Sequence, residues 1–206
     1  MFAISVGEGA ELRPIEPWQA EELLAHVERA REYAGPWVPF TVAVTDLESA
    51  RAHLQRFAER QAADTGRFYG IWLDGTLVGG VLFRVFDTVN ESCEVGVWLE
   101  PSAAGRGLIT NATRAIVDWA VDRRGMHRVE WLASSRNERS KNLAKRLGFV
   151  RDGVLRESFP WQGIRHDMEV WSVLAPEWRA ARAAREAEGA REQQGQQEAQ
   201  EAQESR

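Results

Sequence analysis

The feature of this sequence that most clearly predicts chemistry is a glycine turn that opens a helix. Gly105 and Gly107 bracket Arg106, and they follow an alternating apolar run that ends at Pro101, because proline cannot donate to a strand ladder. Apolar residues then recur at helical spacing from Leu108 onward. The first N–H groups of a helix have no acceptor within it, and they lie at the positive end of its dipole. The turn therefore predicts a binding site for phosphate or a similar anion.

Two common phosphate-binding motifs do not fit this turn. A P-loop requires Gly-Lys followed by Ser or Thr, whereas Leu108 follows Gly107 here. A dinucleotide-binding fingerprint requires a third glycine, which this stretch lacks. From the residues alone, an ordinary turn between a strand and a helix is the alternative to an anion site.

Two linked stretches resemble the GNAT superfamily of N-acetyltransferases. Residues 104–109, AGRGLI, resemble motif A, in which a Q/R-x-x-G-x-G/A turn binds the pyrophosphate of acetyl-CoA. Residues 135–149, which contain NERS and RLGF, resemble the N-x-x-S … L-G-F pattern of the same superfamily. The stretch that follows resembles the RimJ/RimL branch, which is named for acetylation of ribosomal-protein N-termini. Ala104 and Ile109 depart from motif A, but neither change removes a backbone N–H.

The resemblance implies an acyl-CoA-dependent N-acetyltransferase that moves an acetyl group from acetyl-CoA to a primary amine. The acceptor would be a protein N-terminal α-amine or a small amine. The pantetheine arm would run between strands at Val95–Leu99 and Val129–Ala133, where a free backbone N–H polarises the thioester. Helix capping is the alternative role for Asn137. The cofactor-binding residues implied in this way are Val97, Trp98, Leu99, Gly105, Arg106, Gly107, Leu108, Ile109, Thr110, Asn137 and Ser140.

Two residues are expected to move protons. The resemblance places a carboxylate beside the site at the start of one strand, so Glu94 is the expected general base, with a paired strand-end charge as the alternative. Ala144 stands where several GNAT branches carry a tyrosine acid, so Ser140 is expected to protonate the leaving thiolate. An α-amino group with a pKa near 7.7–8.0 is about a quarter neutral at pH 7.4, whereas a lysine is about a thousandth neutral. An α-amine acceptor therefore needs little help from a base.

Trp37 and Asp167 are expected to bind the acceptor. Trp37 lies in an aromatic, proline-containing loop at residues 33–40, and the corresponding region helps to form the acceptor side in the RimJ/RimL pattern. Packing beneath that loop is the alternative role for Trp37. Asp167 aligns with an acidic position in the last strand of that branch, where bracing the sheet is the alternative. His166 lies beside it, but a lone histidine is more often structural.

Composition excludes several other classes. The 206 residues carry a net charge of −5, which argues against a nucleic-acid binder. Cys93 is the only cysteine, so no intramolecular disulfide can form, and this fits a cytoplasmic protein. The sequence shows no signal peptide, no membrane span and no metal-ligand spacing, so we expect neither a membrane partner nor a metal. A homodimer is implied by the resemblance alone.

The periodicities predict an α+β protein, and the resemblance makes this the GNAT fold. That fold has a mixed, mostly antiparallel central sheet of about seven strands flanked by helices. We expect one acetyltransferase domain over residues 1–175, with a loose lead-in at residues 1–9. Residues 176–206 are rich in Ala, Glu, Gln and Arg, and they predict a tail that is helical to about Glu188 and disordered beyond Gly189.

Two other functions remain open from the sequence. A binding module would keep the acyl-CoA site without turnover, and the departures at Ala104 and Ala144 allow this. An acyltransferase that uses another donor, such as succinyl-CoA, would carry an arginine in its acyl pocket, which the sequence does not locate.

Overall fold

A computed structural model describes residues 3–204, in which helices cover both faces of an eight-stranded sheet. The strands are β1 (Ile4–Gly7), β2 (Ala10–Pro14), β3 (Arg67–Leu73), β4 (Thr76–Asp87), β5 (Ser92–Leu99), β6 (Arg128–Ser134), β7 (Val150–Trp161) and β8 (Ile164–Leu174). The helices are α1 (Ala20–Ala34), α2 (Phe40–Ala43), α3 (Leu47–Ala62), α4 (Leu108–Arg123), α5 (Glu138–Arg146) and α6 (Ala175–Glu204). Within residues 3–204, no helix has the combined length and apolar character that crossing a bilayer requires.

The sheet places the predicted anion turn at its centre. Its strand order is β1-β2-β3-β4-β5-β6-β8-β7. Among the described strands, neighbours run antiparallel except β5 and β6, which run parallel. A parallel pair needs a crossover connection, and α4 supplies it here. The glycine turn therefore lies between the carboxyl end of β5 and the first turn of α4.

Two apolar cores hold β5 from opposite faces of the sheet. On one face, α4 packs its buried side, including Ile116, against β1, β4 and β5. On the other face, α1 and α3 bring Leu23 and Leu54 against the sheet. Val95 of β5 belongs to the first core and Trp98 to the second. Since both faces of β5 are packed, its backbone groups keep a defined direction.

The α+β architecture with a mostly antiparallel sheet is confirmed, but the sheet has eight strands rather than about seven. The additional strand is β1, which lies where the sequence predicts a loose lead-in. Gly9 has a φ of +65°, which allows the two-residue turn Glu8-Gly9 to fold β1 back onto β2. The side-chain amide of Asn111 on α4 then donates to the carbonyl of Val6 at 2.9 Å and ties the strand to the core.

The last helix also differs from the predicted tail. It continues through Gly189 to Glu204, where the sequence predicts an interruption followed by disorder. One glycine costs about 1 kcal/mol relative to alanine, which is too little to end a helix whose neighbouring residues are good helix formers. Trp178 anchors the first turn, since its ring is fully buried and its indole N–H donates to Asp118 at 2.7 Å. The division into a domain and a tail stays a prediction.

Candidate active site

The two central strands separate after a short stretch of pairing. β5 and β6 pair at three positions, the last of them between Glu94 and Glu130. Beyond this point β5 remains paired with β4 as far as Leu99, and β6 remains paired with β8 as far as Ser134. The gap between the two strands opens into a cleft of about 1240 Å³. This gap lies where the resemblance places the pantetheine arm.

Backbone donors of β5 point into the gap. The N–H of Glu100 donates to the carbonyl of Val78 at 2.8 Å, and the register between β4 and β5 is regular from Val95 to this bond. Successive N–H groups of a strand alternate between its two neighbours. The N–H groups of Val97 and Leu99 therefore face the gap, whereas that of Trp98 faces β4. Trp98 borders the cleft without offering it a backbone donor.

The glycine turn has a backbone geometry suited to an anion. Gly105 and Gly107 have φ values of +81° and +74°, in the left-handed region that favours glycine. No side chain caps α4 at Gly107, and the N–H of Asn111 donates to the carbonyl of Gly107 at 3.0 Å. The N–H groups of residues 108–110 come before this bond and have no acceptor within the helix. These residues line the cleft and present the donors that a phosphate group accepts.

Asn137 and Ser140 lie at the start of α5 and also line the cleft. The side-chain oxygen of Asn137 accepts a hydrogen bond from the N–H of Ser140 at 3.1 Å, so Asn137 caps the helix. Oγ of Ser140 accepts from the indole N–H of Trp131 at 2.9 Å, which leaves its own proton for another acceptor. Ala144, one turn further along, is fully buried.

Glu94 lies where β5 and β6 begin to separate, with 8% of its surface exposed to the cleft. Nε of Arg84 donates to one oxygen of its carboxylate at 2.6 Å, and a second Arg84 nitrogen donates to the other oxygen. Burial raises the pKa of the Glu94 carboxyl, Arg84 opposes this shift, and the nearby charge of Glu130 adds to it. Glu94 is therefore both a paired strand charge and a carboxyl whose raised pKa suits proton transfer.

The opposite wall of the cleft comes from the loop after α1 and from the β7–β8 hairpin. Trp37 lines the cleft, and its ring centre lies 6.3 Å from that of His166. Oγ of Ser134 lies 2.9 Å from Nδ1 of His166 and orients this imidazole. At the hairpin tip, the indole N–H of Trp161 donates to the carbonyl of Gly35 at 2.9 Å. The hairpin and the loop are thus joined into one aromatic wall.

Asp167 occupies a bracing position in the sheet. Its carboxylate accepts a hydrogen bond from the N–H of Glu157 at 2.7 Å, and Glu157 has a φ of +50° in an irregular part of β7. Asp167 is absent from the described residues that line the cleft, whereas His166 is among them. Adjacent strand residues point to opposite faces, so the aromatic wall carries the histidine and the carboxylate supports the bulge.

Sequence reasoning missed three polar residues of α5 that line the cleft, namely Arg139, Asn142 and Arg146. Their spacing of three and four residues places them on one face of the helix, and this periodicity is the signal that would have found them. Arg106, predicted to add positive charge, is exposed and does not belong to the described lining. Positive charge in the cleft therefore comes partly from α5 rather than from Arg106.

Two further kinds of site can be assessed among residues 3–204. No group of three or more His, Cys, Asp or Glu side chains in this range is placed to hold a metal ion. Burial, with a contribution from Glu130, raises the pKa of the Cys93 thiol to about 12. This thiol is therefore protonated at neutral pH and is a poor nucleophile.

Comparison with known sequences identifies the family of this chain. Residues 10–150, more than half of the chain, match the family described as acetyltransferase (GNAT) domain. A Bacillus subtilis (strain 168) protein named "Putative ribosomal N-acetyltransferase YdaF" is 30% identical over 183 residues, which cover 88% of this chain and all of that protein. The Escherichia coli (strain K12) "Ribosomal-protein-serine acetyltransferase" is 22% identical over 155 residues, which cover 75% of this chain and 87% of that protein.

Solved structures share the fold. A crystal structure described as "Probable acetyltransferase" has a TM-score of 0.80 and 29% identity, covering 86% of this chain and 99% of that one. The RimL ribosomal L7/L12 alpha-N-protein acetyltransferase in complex with coenzyme A has a TM-score of 0.79 and 21% identity, covering 84% and 97% of the two chains. The family match and the sequence relatives together show that this chain belongs to the GNAT family of N-acetyltransferases.

Proposed function

We propose that this enzyme transfers the acetyl group of acetyl-CoA to a primary amine, with a protein N-terminal α-amine as the favoured acceptor. The observation that carries the proposal is that the uncapped start of α4 and the inward N–H groups of Val97 and Leu99 serve one cleft. An anion site and a carbonyl-binding site in one cleft fit a ligand with a diphosphate at one end and a thioester at the other. The names of the YdaF and RimL relatives support a ribosomal-protein acceptor.

The residues present fit acetyl-CoA at each part of the cleft. The N–H groups of residues 108–110 would donate to the pyrophosphate, with Gly105 and Gly107 allowing close approach of the backbone. Arg139 and Arg146 would add positive charge along α5. The pantetheine arm would occupy the gap between β5 and β6, where it excludes water from the reacting groups.

In the proposed reaction, the amine nitrogen forms a bond to the thioester carbon, and the carbon–sulfur bond breaks. The carbonyl oxygen gains negative charge as the nitrogen attacks, and the N–H groups of Val97 and Leu99 donate to it. One such donor contributes about 10²–10³ in rate. Glu94 takes the proton that the amine loses, directly or through one water. Ser140 gives its hydroxyl proton, which Trp131 leaves free, to the departing thiolate. Ser140 then regains a proton from solvent, to which Glu94 releases the proton that it took from the amine.

An α-amine acceptor fits this arrangement better than a lysine. About a quarter of an α-amine is neutral at pH 7.4, against about a thousandth of a lysine. Glu94 is tied to Arg84, which limits its strength as a base. The chemistry therefore favours an amine that needs only a modest base, and the aromatic wall at Trp37 would contact the first residue of the acceptor.

Thiol release from acetyl-CoA tests the proposed function. The acceptors to compare are a peptide with a free N-terminus, its N-acetylated form with one internal lysine, and a small primary amine. We expect thiol release with the first peptide and one acetyl group on its N-terminus by mass spectrometry. Saturable acetyl-CoA binding without thiol release above background would instead indicate a binding module. Faster turnover with succinyl-CoA than with acetyl-CoA would show that succinyl-CoA is the preferred acyl donor.

Replacing Glu94 with glutamine should slow acetyl transfer to a lysine acceptor by about 10²-fold, which is the usual contribution of a general base. The loss should be smaller with an α-amine, because more of that acceptor is already neutral. Asp64→Asn is the matched control, since Asp64 is also a carboxylate paired with arginine but is not among the described residues lining the cleft. Steady-state rates with both acceptors measure the difference.

The stability of the Glu94→Gln variant separates catalysis from folding. Because the folded state raises the pKa of Glu94, ionisation of this group destabilises the fold as pH rises through the folded pKa. A neutral glutamine avoids this cost, so the variant should melt at or above the wild-type temperature at pH 7.5. If the rate of the variant with the lysine acceptor is unchanged, another group takes the proton, and His166, which lines the cleft, is the next residue to replace.

Two wider expectations accompany the proposed function. We propose a cytoplasmic enzyme, which the single buried Cys93 fits. The homodimer implied by the resemblance stays a prediction, and light scattering of the purified protein measures it.

A further inference from the structure

Glu100 is the joint between the two parts of the cleft that would bind opposite ends of one acetyl-CoA molecule. It follows the last residue of β5 and precedes the short 3-10 turn Pro101–Ala103, which leads into the glycine turn. Its N–H donates to the carbonyl of Val78, and its own carbonyl accepts from the N–H of Ala103 at 3.2 Å. The backbone of Glu100 is thus bonded to the sheet on one side and to the turn on the other.

The Glu100 carboxylate is buried, with 5% of the residue exposed, and three side chains donate to it. Nδ1 of His26 lies 2.7 Å from Oε1, and Nε of Arg29 donates to the same oxygen at 3.0 Å. The hydroxyl of Ser102 donates to Oε2 at 3.3 Å. Burial alone would raise the pKa of Glu100, but the bonds from Arg29 and His26 lower it, so this carboxylate is held in its charged form.

The proton position on His26 follows from its second partner. The indole N–H of Trp98 lies 2.9 Å from Nε2 of His26, and an indole N–H can only donate. Nε2 therefore accepts, and the imidazole proton lies on Nδ1, where it donates to Glu100. Burial lowers the pKa of His26, which keeps the imidazole in this neutral form. The chain of bonds runs from Trp98 on β5 through His26 on α1 to Glu100.

Trp98 and Glu100 enclose Leu99, whose N–H faces the gap. Arg29 extends the bonding to β4, because it also donates to the carbonyl of Leu77 at 2.8 Å. The carboxyl end of β5 is therefore fixed by α1 on one side and by β4 on the other. Such buried and fully bonded groups hold one geometry strongly.

We propose that Glu100, oriented by His26 and Arg29, is a positioning residue that sets the pyrophosphate turn at the correct distance from the thioester-binding N–H groups of β5. This inference rests on the proposed function, since it requires one acetyl-CoA molecule to occupy both places. Reacting groups must be aligned closely, and a misplacement of about 1 Å can cost about 10²-fold in rate. A donor that spans both places therefore depends on the joint, whereas a donor without the pyrophosphate does not.

Two donors test this positioning role. Acetyl-CoA contacts both ends of the joint, and S-acetylpantetheine carries the thioester without the pyrophosphate. In Glu100→Gln, which keeps the side-chain size but removes the charge, kcat/KM for acetyl-CoA should fall by about 10- to 100-fold. With S-acetylpantetheine, kcat/KM should change by less than about threefold. A role limited to folding would lower both values by the same factor.

Trp98→Phe provides a second variant that keeps an aromatic ring in the core and removes the indole N–H. It should shift the ratio of the two kcat/KM values in the same direction by a smaller factor. If circular dichroism shows that Glu100→Gln is unfolded, the ratio measured for Trp98→Phe tests the positioning role. Asp64→Asn is the matched control. Asp64 pairs with Arg67 and Arg124 and is not among the described residues lining the cleft, so the ratio should stay at the wild-type value.

The outcomes distinguish this inference from the proposed function beneath it. A wild-type protein that releases no thiol from acetyl-CoA with any amine would remove the proposed function, and the inference with it. If the wild-type protein turns over acetyl-CoA but the variants lose kcat/KM by the same factor with both donors, the positioning role is wrong and the proposed function stands.

A long-range ¹H–¹⁵N spectrum tests the chain of hydrogen bonds through His26. It should show the imidazole proton on Nδ1 in the wild-type protein, and a proton on Nε2 would contradict this chain.

Discussion

Gly107→Glu is expected to weaken acetyl-CoA binding by at least about 100-fold, which corresponds to about 2.7 kcal/mol. The new carboxylate would lie at the positive end of α4, where the N–H groups of residues 108–110 are free for the diphosphate. Like charges about 4 Å apart repel by about 1 kcal/mol in water and by about 4 kcal/mol near a protein surface. Isothermal titration with acetyl-CoA measures the loss.

The same substitution at Gly125 is the control for backbone strain. Gly107 and Gly125 lie at opposite ends of α4 and have nearly the same φ, +74° and +70°. A side chain at either position enters a left-handed conformation, which costs about 1–2 kcal/mol, and neither would meet another atom closer than ordinary contact. Both variants should therefore lose stability, and Gly125→Glu should lose somewhat more because its carboxylate lies at the negative end of the helix dipole. Only Gly107→Glu should lose binding.

Unchanged binding in Gly107→Glu would place the diphosphate elsewhere and remove the main support for the proposed donor site. Equal weakening in the two variants would instead assign the effect to damage of α4 as a whole. Melting temperatures measured on the same samples separate these results, because the strain term acts on folding and the charge term acts on the ligand.

The geometry of the proposed donor half of the site could be predicted from the sequence because it is local. Two glycines before an apolar helical repeat determine a left-handed turn and an uncapped helix start within a few residues. The cap formed by Asn137 is local for the same reason, since its partner Ser140 lies three residues away. From the residues alone the turn is either an anion site or an ordinary turn. The resemblance favours the anion site, and it adds the identity of the anion and the path of the pantetheine arm.

The proposed acceptor half of the site could not be predicted as well, because it depends on strand register and on partners that are distant in sequence. The choice between His166 and Asp167 depends on which face each residue takes, and two irregularities in β7 shift its pairing with β8. Trp161 reaches Gly35 across 126 positions of sequence. Sequence periodicity does not predict a bond between such distant residues. The contact between the β7–β8 hairpin and the loop after α1 is therefore known only from the structure.

The hydrogen bonds among the buried polar groups around β5 could not be predicted from the sequence either. His26 and Glu100 are separated by 74 positions, and each has an ordinary helical or loop environment when considered alone. Their burial follows from the packing of α1 on the sheet, because that packing removes water from both groups. Packing also buries a second histidine, His53, and this burial makes the stability of the protein depend on pH.

His53 lies on α3 within a cluster of aromatic rings. Its ring centre lies 4.8 Å from that of Phe40 and 5.1 Å from that of Phe68. Nη2 of Arg56 lies 3.2 Å from Nδ1 of His53, and an arginine can only donate. Nδ1 is therefore the acceptor, and Nε2 carries the proton without a hydrogen-bond partner among the described residues. A second proton would have to enter at Nδ1, directly against the guanidinium of Arg56.

Burial, with a contribution from the charge of Arg56, lowers the pKa of His53 to about 4 from 6.5. The unfolded chain therefore binds a proton that the folded chain refuses between these two values, so stability is fully present above about pH 6.5 and falls as pH decreases toward 4. The free energy of unfolding lost over this pH range is about 3 kcal/mol.

His53→Met should remove most of this dependence, because methionine fills the space without titrating. We expect the wild-type protein to lose about 3 kcal/mol more than the variant between pH 7 and pH 4, measured by urea unfolding at each pH. The difference between the two proteins isolates His53, since His26, whose pKa burial also lowers, and the carboxylates are common to both. Parallel curves for the two proteins would show that His53 can be charged in the folded state, and the packing of Phe40 on a neutral imidazole would then be wrong.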